Sequence, residues 1–122
     1  MPLTWTIDPE LKLVTAVAEG EFTRTEVDAY LDAVDQAGAH AYRKLFDGER
    51  ASSRMKAEDW MAVGIRMRSY HKTGPMGALA VVVPEALVEP LDRVLGMLAT
   101  AERPMRLFRK LAPARRWIVS QP

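Results

Sequence analysis

The chain contains no cysteine, and this absence excludes several kinds of site. There can be no disulfide, thiolate metal site or cysteine nucleophile, and the composition suits a reducing compartment. The longest apolar run, residues 78–83, stops at Pro84 and is far too short to span a membrane. The N-terminus also lacks the basic and apolar regions of a signal peptide. We therefore expect a soluble, cytoplasmic protein without a transmembrane segment.

Motifs for metal, cofactor or catalytic chemistry are also missing. The only histidines, His40 and His71, do not stand at the spacing of paired metal ligands. No G-x-S-x-G nucleophile elbow occurs, and neither a G-x-G-x-x-G nor a G-x-x-x-x-G-K-[ST] phosphate loop is present. The sequence therefore predicts a protein that is not an enzyme and has no metal and no cofactor.

The composition is that of one globular domain spanning residues 1–122, with 48% hydrophobic and 27% charged residues. Charge is uneven: residues 1–50 carry ten acids and five Lys or Arg, whereas residues 51–122 carry six acids and twelve. A basic C-terminal segment could meet anionic lipid or nucleic acid. The better explanation of the basic segment is a solvated rim that faces either the acidic N-terminal helix, which should begin near residue 23, or a second subunit. Nucleic acid is therefore not the expected partner.

Local patterns place the first elements. Alternating apolar residues predict strands over Leu3 to Asp8 and Leu11 to Ala18, joined as a hairpin. Thr23 stands three residues before Glu26, which is capping-box spacing, and Phe22 occupies the hydrophobic-staple position. A helix should therefore start at Thr23.

The remaining pattern alternates strands and helices. A short third strand over Tyr42 to Asp47 should end at Asp47-Gly48, and the valine-rich run Gly77 to Val83 predicts a central strand covered on both faces. The other predicted elements are a second helix from Lys56 to about His71, a third opened by Pro90, a final strand over Met105 to Phe108 and a last helix over Pro113 to Val119. The order ββαβαβαβα predicts an α/β fold with a small, mainly parallel five-stranded sheet, an antiparallel N-terminal edge strand and helices on both faces.

Two segments suggest a family. The first, residues 7–34, reads strand, Asp-Pro turn, strand, glycine and Thr-capped helix, and the second comprises Phe108, Arg109, Leu111, Ala114, Trp117 and Ile118. Together they resemble the opening and the closing strand and helix of bacterial STAS/SEC14-like proteins of the SpoIIAA-like fold. This resemblance implies a small sheet flanked by helices, no cofactor, and a role in binding or regulation.

Relatives of that fold include anti-sigma-factor antagonists, in which a serine after the third strand is phosphorylated to break a partner contact. The resemblance makes Ser52 and Ser53 candidates for such a switch, although here the surrounding residues read Ala-Ser-Ser-Arg and lack the glycine of the antagonists. Phosphate at a helix N-terminus would be stabilised by the helix dipole and by nearby arginine. The alternative is that one serine only caps the second helix.

Two further regions are candidate surfaces. In parallel sheets, ligands usually lie beyond the carboxyl ends of the strands, and the residues expected at that rim are Asp47, Arg50, Glu85 and Arg109. The second helix carries more apolar surface than one buried stripe needs, and its candidate interface or pocket residues are Met55, Trp60, Met61 and Met67.

The sequence therefore predicts a non-catalytic regulatory or protein-binding module that acts as a homodimer with an unknown protein partner. The alternative is an apolar-ligand or lipid-binding domain resembling SEC14-type proteins. A carrier of that kind needs an apolar cavity of several hundred cubic ångströms, on the order of 300 to 1,000 Å³. The two predictions differ most clearly in whether such a cavity exists.

Overall fold

A computed structural model describes residues 2–99 and 102–122 of the chain. The strands and helices follow one another in the predicted order ββαβαβαβα. Their bounds are β1 (Leu3–Asp8), β2 (Leu13–Glu21), α1 (Arg24–Gln36), β3 (Arg43–Ser52), α2 (Ala57–Ser69) with a short 3-10 turn (Tyr70–Lys72), β4 (Leu79–Val82), α3 (Glu85–Met97), β5 (Met105–Phe108) and α4 (Leu111–Ser120).

The five strands form one sheet in the order β1-β2-β3-β4-β5. β1 pairs antiparallel with β2, and every later pairing is parallel. Each parallel pairing is joined through a helix, as parallel neighbours require. The predicted α/β class, the number of strands and the antiparallel N-terminal edge strand are confirmed.

β4 is the strand that the valine-rich run predicted, and all four of its residues are buried. Leu79 and Val81 pack into the larger core, whereas Ala80 and Val82 pack into a smaller core with Ala114 and Ile118 of α4. Side chains alternate across a strand, so a continuous apolar run must be covered on both faces. α1, α2 and α3 share the first face, where α2 contacts both of the others, and α4 covers the second.

The start of α1 is the predicted capping box. Thr23 Oγ1 accepts a hydrogen bond from the Glu26 amide at 3.3 Å, and Glu26 Oε1 accepts one from the Thr23 amide at 3.1 Å. The other carboxylate oxygen of Glu26 accepts from the Leu3 amide at 3.1 Å. The cap therefore satisfies the helix terminus and also fixes the edge strand β1 against α1.

The predicted end of the third strand was wrong. β3 continues five residues past Asp47, because β2 is long enough to pair with it as far as Glu21 opposite Ser52, with an irregularity in register between Val17 and Glu19. Gly48 is not a turn residue. A Cβ at this position would lie 2.8 Å from the Phe46 ring and 2.9 Å from the Val82 carbonyl oxygen, so glycine permits a close approach.

The predicted start of the third helix was also wrong. α3 begins at Glu85, with Pro84 as its N-cap, and Pro90 lies inside the helix. The buried residues Leu87 and Val94 are seven apart and so lie on one face of the helix. This apolar stripe starts before Pro90, and its packing against the sheet outweighs the hydrogen bond that a proline cannot donate.

Candidate functional site

A cavity of about 90 Å³ lies between the sheet and the first three helices. Its walls are mostly apolar and come from both layers; they include Leu31, Val63, Met67, Val81, Val94 and Leu95. Basic side chains are also among the lining residues, whereas none of the described residues that line the cavity is Asp or Glu. The cavity is therefore an apolar space with an excess of positive charge.

Lys44 is one of the two buried cations that line this cavity, with only 6% of its surface exposed. Its Nζ donates to the carbonyl oxygens of His40 at 2.6 Å and Tyr42 at 2.7 Å. Burial, and then the positive charge of Arg103, lower the pKa of Lys44 from 10.5 to about 7. The amine is thus tied to the chain segment that leads into β3.

Arg103 is the second buried cation and is 7% exposed. Its Nε, Nη1 and Nη2 atoms are all buried and find no hydrogen-bond partner in the part of the chain that the structure describes. Burial lowers the pKa of Arg103 from 12.5 to about 10, and the interaction with Tyr30 acts in the opposite direction. A charged guanidinium in such surroundings is strongly destabilising unless an anion compensates it.

Tyr30, which lines the cavity, and His71, which does not, both feel the charge of Arg103. Burial raises the pKa of the Tyr30 phenol, and the charge of Arg103 partly opposes that rise. Both ring nitrogens of His71 are buried and lack a partner among the described residues. Burial lowers the pKa of His71, and the charges of Arg103 and Arg68 lower it further. His71 is therefore held towards its neutral form.

The basic groups lie at the amino ends of the parallel strands. Lys44 stands near the start of β3, where it pairs with Leu79 of β4, and Leu79 pairs with Met105 of β5. Arg103 comes two residues before Met105. Gly77 keeps the segments close, since its amide donates to His40 O at 3.0 Å. A Cβ at Gly77 would lie 2.1 Å from the Tyr42 carbonyl oxygen, a contact that no side chain could tolerate.

The helices above the cavity are joined by polar contacts. The rings of His40 and Tyr70, both of which line the cavity, contact each other at a tilt of 34°, with centroids 4.3 Å apart. Arg66 of α2 donates to the Tyr70 hydroxyl at 2.8 Å, and it also bonds to Asp28 and Asp32 of α1. These contacts hold α2 over α1 and so form part of the cavity's cover.

The residues predicted at the carboxyl-end rim divide into two separate pairs. Asp47 and Arg50 line a surface depression together with the acidic side chains of Glu19 and Glu49. Glu85 and Arg109 form an ion pair with each other, and both side chains are largely exposed. The rim residues therefore do not converge on one site.

The two serines differ in their surroundings. Ser52 is exposed and is the last residue of β3. The Ser53 hydroxyl donates to Phe22 O at 3.0 Å and accepts from the Met55 amide at 3.2 Å. Neither serine caps α2, because the N-cap is Lys56 and the Asp59 carboxylate accepts from its amide. Ser52 is the more accessible of the two candidate switch residues.

The four apolar residues predicted around α2 do not lie in one place either, but line two different parts of the structure. Met67 lines the central cavity. Met55, Trp60 and Met61 line a groove on the outer surface between α2 and α3. The Trp60 ring packs edge-on against Phe22, with centroids 6.0 Å apart, so Trp60 also belongs to the core. Met61 remains 58% exposed.

The sequence interpretation missed Lys44 and Arg103 as site residues. Strand alternation places Lys44 on the same face as Phe46, which was a detectable signal. Arg103 belongs to the basic C-terminal segment, whose other arginines are exposed, and no local pattern in the sequence marks it as buried. Its burial depends on contacts that are distant in sequence.

Within residues 2–99 and 102–122, no three His, Asp or Glu side chains are grouped so that they could hold a metal ion. The helices in the same ranges are too short or too polar to cross a membrane. Searches with the chain against protein-family models, curated proteins and solved structures gave no match.

Proposed function

We propose that this chain is a non-catalytic binding domain whose ligand is a small, largely apolar molecule held between the sheet and α1, α2 and α3. The supporting observation is the apolar cavity of about 90 Å³. Protein interiors are normally packed without voids much larger than water. At about 24 cal/mol per Å³, an empty cavity of this volume costs roughly 2 kcal/mol of stability. A bound ligand would recover that cost.

The size of the cavity limits the size of the ligand. Drug-sized ligands occupy roughly 300 to 1,000 Å³, whereas this cavity offers about 90 Å³. A long-chain lipid, as in the SEC14-like alternative, would require α2 and α3 to move away from the sheet. A molecule with a short chain or a single small ring is the better match. Met67 and Met76 line the cavity and can adapt to such shapes because their side chains are flexible.

Methyl NMR spectra test this proposal with butyrate and butyramide as probes. Saturable shifts of the methyl groups of Val63, Val81 and Val94 with either probe would support it. Val63→Leu adds a methylene inside the cavity and so leaves less room for the probe. It should weaken binding roughly fivefold or more, because overpacking costs at least about 1 kcal/mol. Val119→Leu is the matched control, because Val119 is 59% exposed on α4.

The refuting outcome is equally definite. If neither probe shifts these methyl groups up to tens of millimolar, roughly the range of the weakest specific binding, the cavity is only a packing defect. Equal binding by wild type and Val63→Leu would place the probes elsewhere and would also contradict the proposal.

A regulatory role through protein contacts is a second candidate, and the outer face of α2 favours it. Met61 and Ile65 are 58% and 57% exposed there. The inner face of the same helix lines the cavity with Val63 and Met67. α2 also packs tightly on α3, since a Cβ at Gly64 would lie 2.5 Å from the sulfur of Met97. A ligand that displaced α2 would therefore alter an exposed apolar surface.

Light scattering tests whether this surface forms the predicted homodimer. The wild type should be dimeric at roughly 100 μM and the double variant Met61→Lys with Ile65→Lys monomeric, because two charges would be buried at the contact. Ala112→Lys, an exposed substitution on α4, should remain dimeric. A monomeric wild type would eliminate the homodimer.

A further inference from the structure

Arg103 is the feature that the packing of the protein leaves unexplained. Only 7% of its surface is exposed, and its three guanidinium nitrogens have no hydrogen-bond partner among the described residues. Buried polar groups in proteins are almost always hydrogen-bonded, and an unpaired buried charge is rarer still. Arg103 also lines the apolar cavity. The missing partner should therefore be something that enters the cavity.

The charges around the cavity indicate that the partner is an anion. Arg103 and Lys44 line it, whereas no described lining residue is Asp or Glu. The Lys44 amine already has two carbonyl acceptors. His71, whose pKa responds to Arg103, is held towards neutrality. One buried cation thus remains uncompensated, which matches a single negative charge better than a doubly charged phosphate.

The geometry of the guanidinium narrows the chemistry further. Its planar fork of N–H donors matches the two oxygens of a carboxylate. The rest of the cavity is apolar and small. We infer that the ligand is a small ionised carboxylic acid, whose carboxylate pairs with Arg103 and whose short apolar body occupies the cavity. This inference rests on the proposed function, because it names the chemical class of the ligand at the same site.

Butyrate and butyramide test this inference, because they have nearly the same shape and differ in charge. At neutral pH, methyl NMR titrations of the wild type should give a dissociation constant at least tenfold lower for butyrate, since charge-assisted hydrogen bonds exceed neutral ones by about that margin. Equal affinities would overturn the carboxylate assignment and leave the proposed function intact. Binding of neither probe would overturn the proposed function itself.

A substitution identifies the group responsible. Arg103→Met removes the charge and keeps an apolar chain, so butyrate should bind at least tenfold more weakly while butyramide changes less than about twofold. Arg106→Met is the matched control, because Arg106 is exposed. It shares a face of β5 with Phe108, which packs in the smaller core beside α4 and does not line the cavity. Undiminished butyrate binding by a folded Arg103→Met would refute the role of Arg103.

Two further arms cover the remaining outcomes. If Arg103→Met does not fold, Arg103→Lys keeps the charge without the fork, so it should bind butyrate more weakly than wild type but still prefer it to butyramide. Loss of that preference would contradict the inference. Inorganic phosphate serves as the probe for an anion without an apolar body. Phosphate that displaces butyrate at equal concentration would overturn the assignment to a carboxylic acid.

Discussion

Replacing Arg103 by methionine should stabilise the ligand-free protein. The pKa of Arg103 falls from 12.5 to about 10 on folding, so burial disfavours its charged form by on the order of 3 kcal/mol at about 1.4 kcal/mol for each tenfold change in proton affinity. Methionine lacks that charge but is shorter, and the space it leaves cancels part of the gain. We expect the free energy of unfolding to rise by about 1 to 3 kcal/mol.

Urea unfolding at neutral pH, followed by the fluorescence of the three tryptophans, measures this change directly. Arg106→Met should leave the midpoint almost unchanged, since exposed substitutions usually alter stability by less than about 0.5 kcal/mol. Butyrate should raise the midpoint of the wild type, because a ligand that binds only the folded state stabilises that state. It should have little effect on Arg103→Met, which binds butyrate weakly. A loss of more than about 1 kcal/mol in Arg103→Met would refute the reasoning, because it would mean that the guanidinium is well paired in solution.

Three other changes test the titration of Lys44, the close packing at Gly77 and the cap at the start of α1. Because the pKa of Lys44 is lowered from 10.5 to about 7, the folded state binds fewer protons than the unfolded chain above that pH. The free energy of unfolding should therefore rise by roughly 3 kcal/mol between about pH 7 and pH 9.5, and urea titrations of Lys44→Met should lack most of this rise. Gly77→Ala would bring a Cβ to 2.1 Å from the Tyr42 carbonyl oxygen and should cost about 3 kcal/mol or more by thermal unfolding, whereas Gly96→Ala, where a Cβ meets nothing within 4 Å, should stabilise α3 by up to about 1 kcal/mol. Thr23→Ala should cost about 1 kcal/mol through loss of the cap, and a cost no larger than that of Thr25→Ala, measured by urea unfolding, would contradict the capping role.

The sequence predicted what depends on neighbouring residues. The cap at Thr23 and Glu26 needs only three residues of spacing, and the valine-rich β4 needs only a continuous apolar run. The errors arose where distant packing outweighs a local signal. Asp47-Gly48 has turn composition, yet pairing with β2 carries the strand past it, and Pro90 has the composition of a helix start, yet α3 begins earlier.

The candidate site was the least predictable part. Lys44 and Arg103 are far apart in the sequence, and no short motif relates them. Their burial follows from the order of the parallel strands and from the helices that cover one face. The carboxyl-end rim suggested by the behaviour of other parallel sheets holds two mutually separate pairs instead, and only the Glu85–Arg109 pair is exposed in both members. Met67 is the one predicted site residue that does line the cavity.

The parallel pairing of β3, β4 and β5 has a consequence for the folding pathway. The β1–β2 hairpin is joined by a short connection and can form in about microseconds. Lys44, Gly77 and Arg103, by contrast, meet only after two helical crossovers have closed and β5 has docked. Such long-range closures are slow. In a nascent chain, the wall of the cavity is therefore incomplete until the last strand has been added.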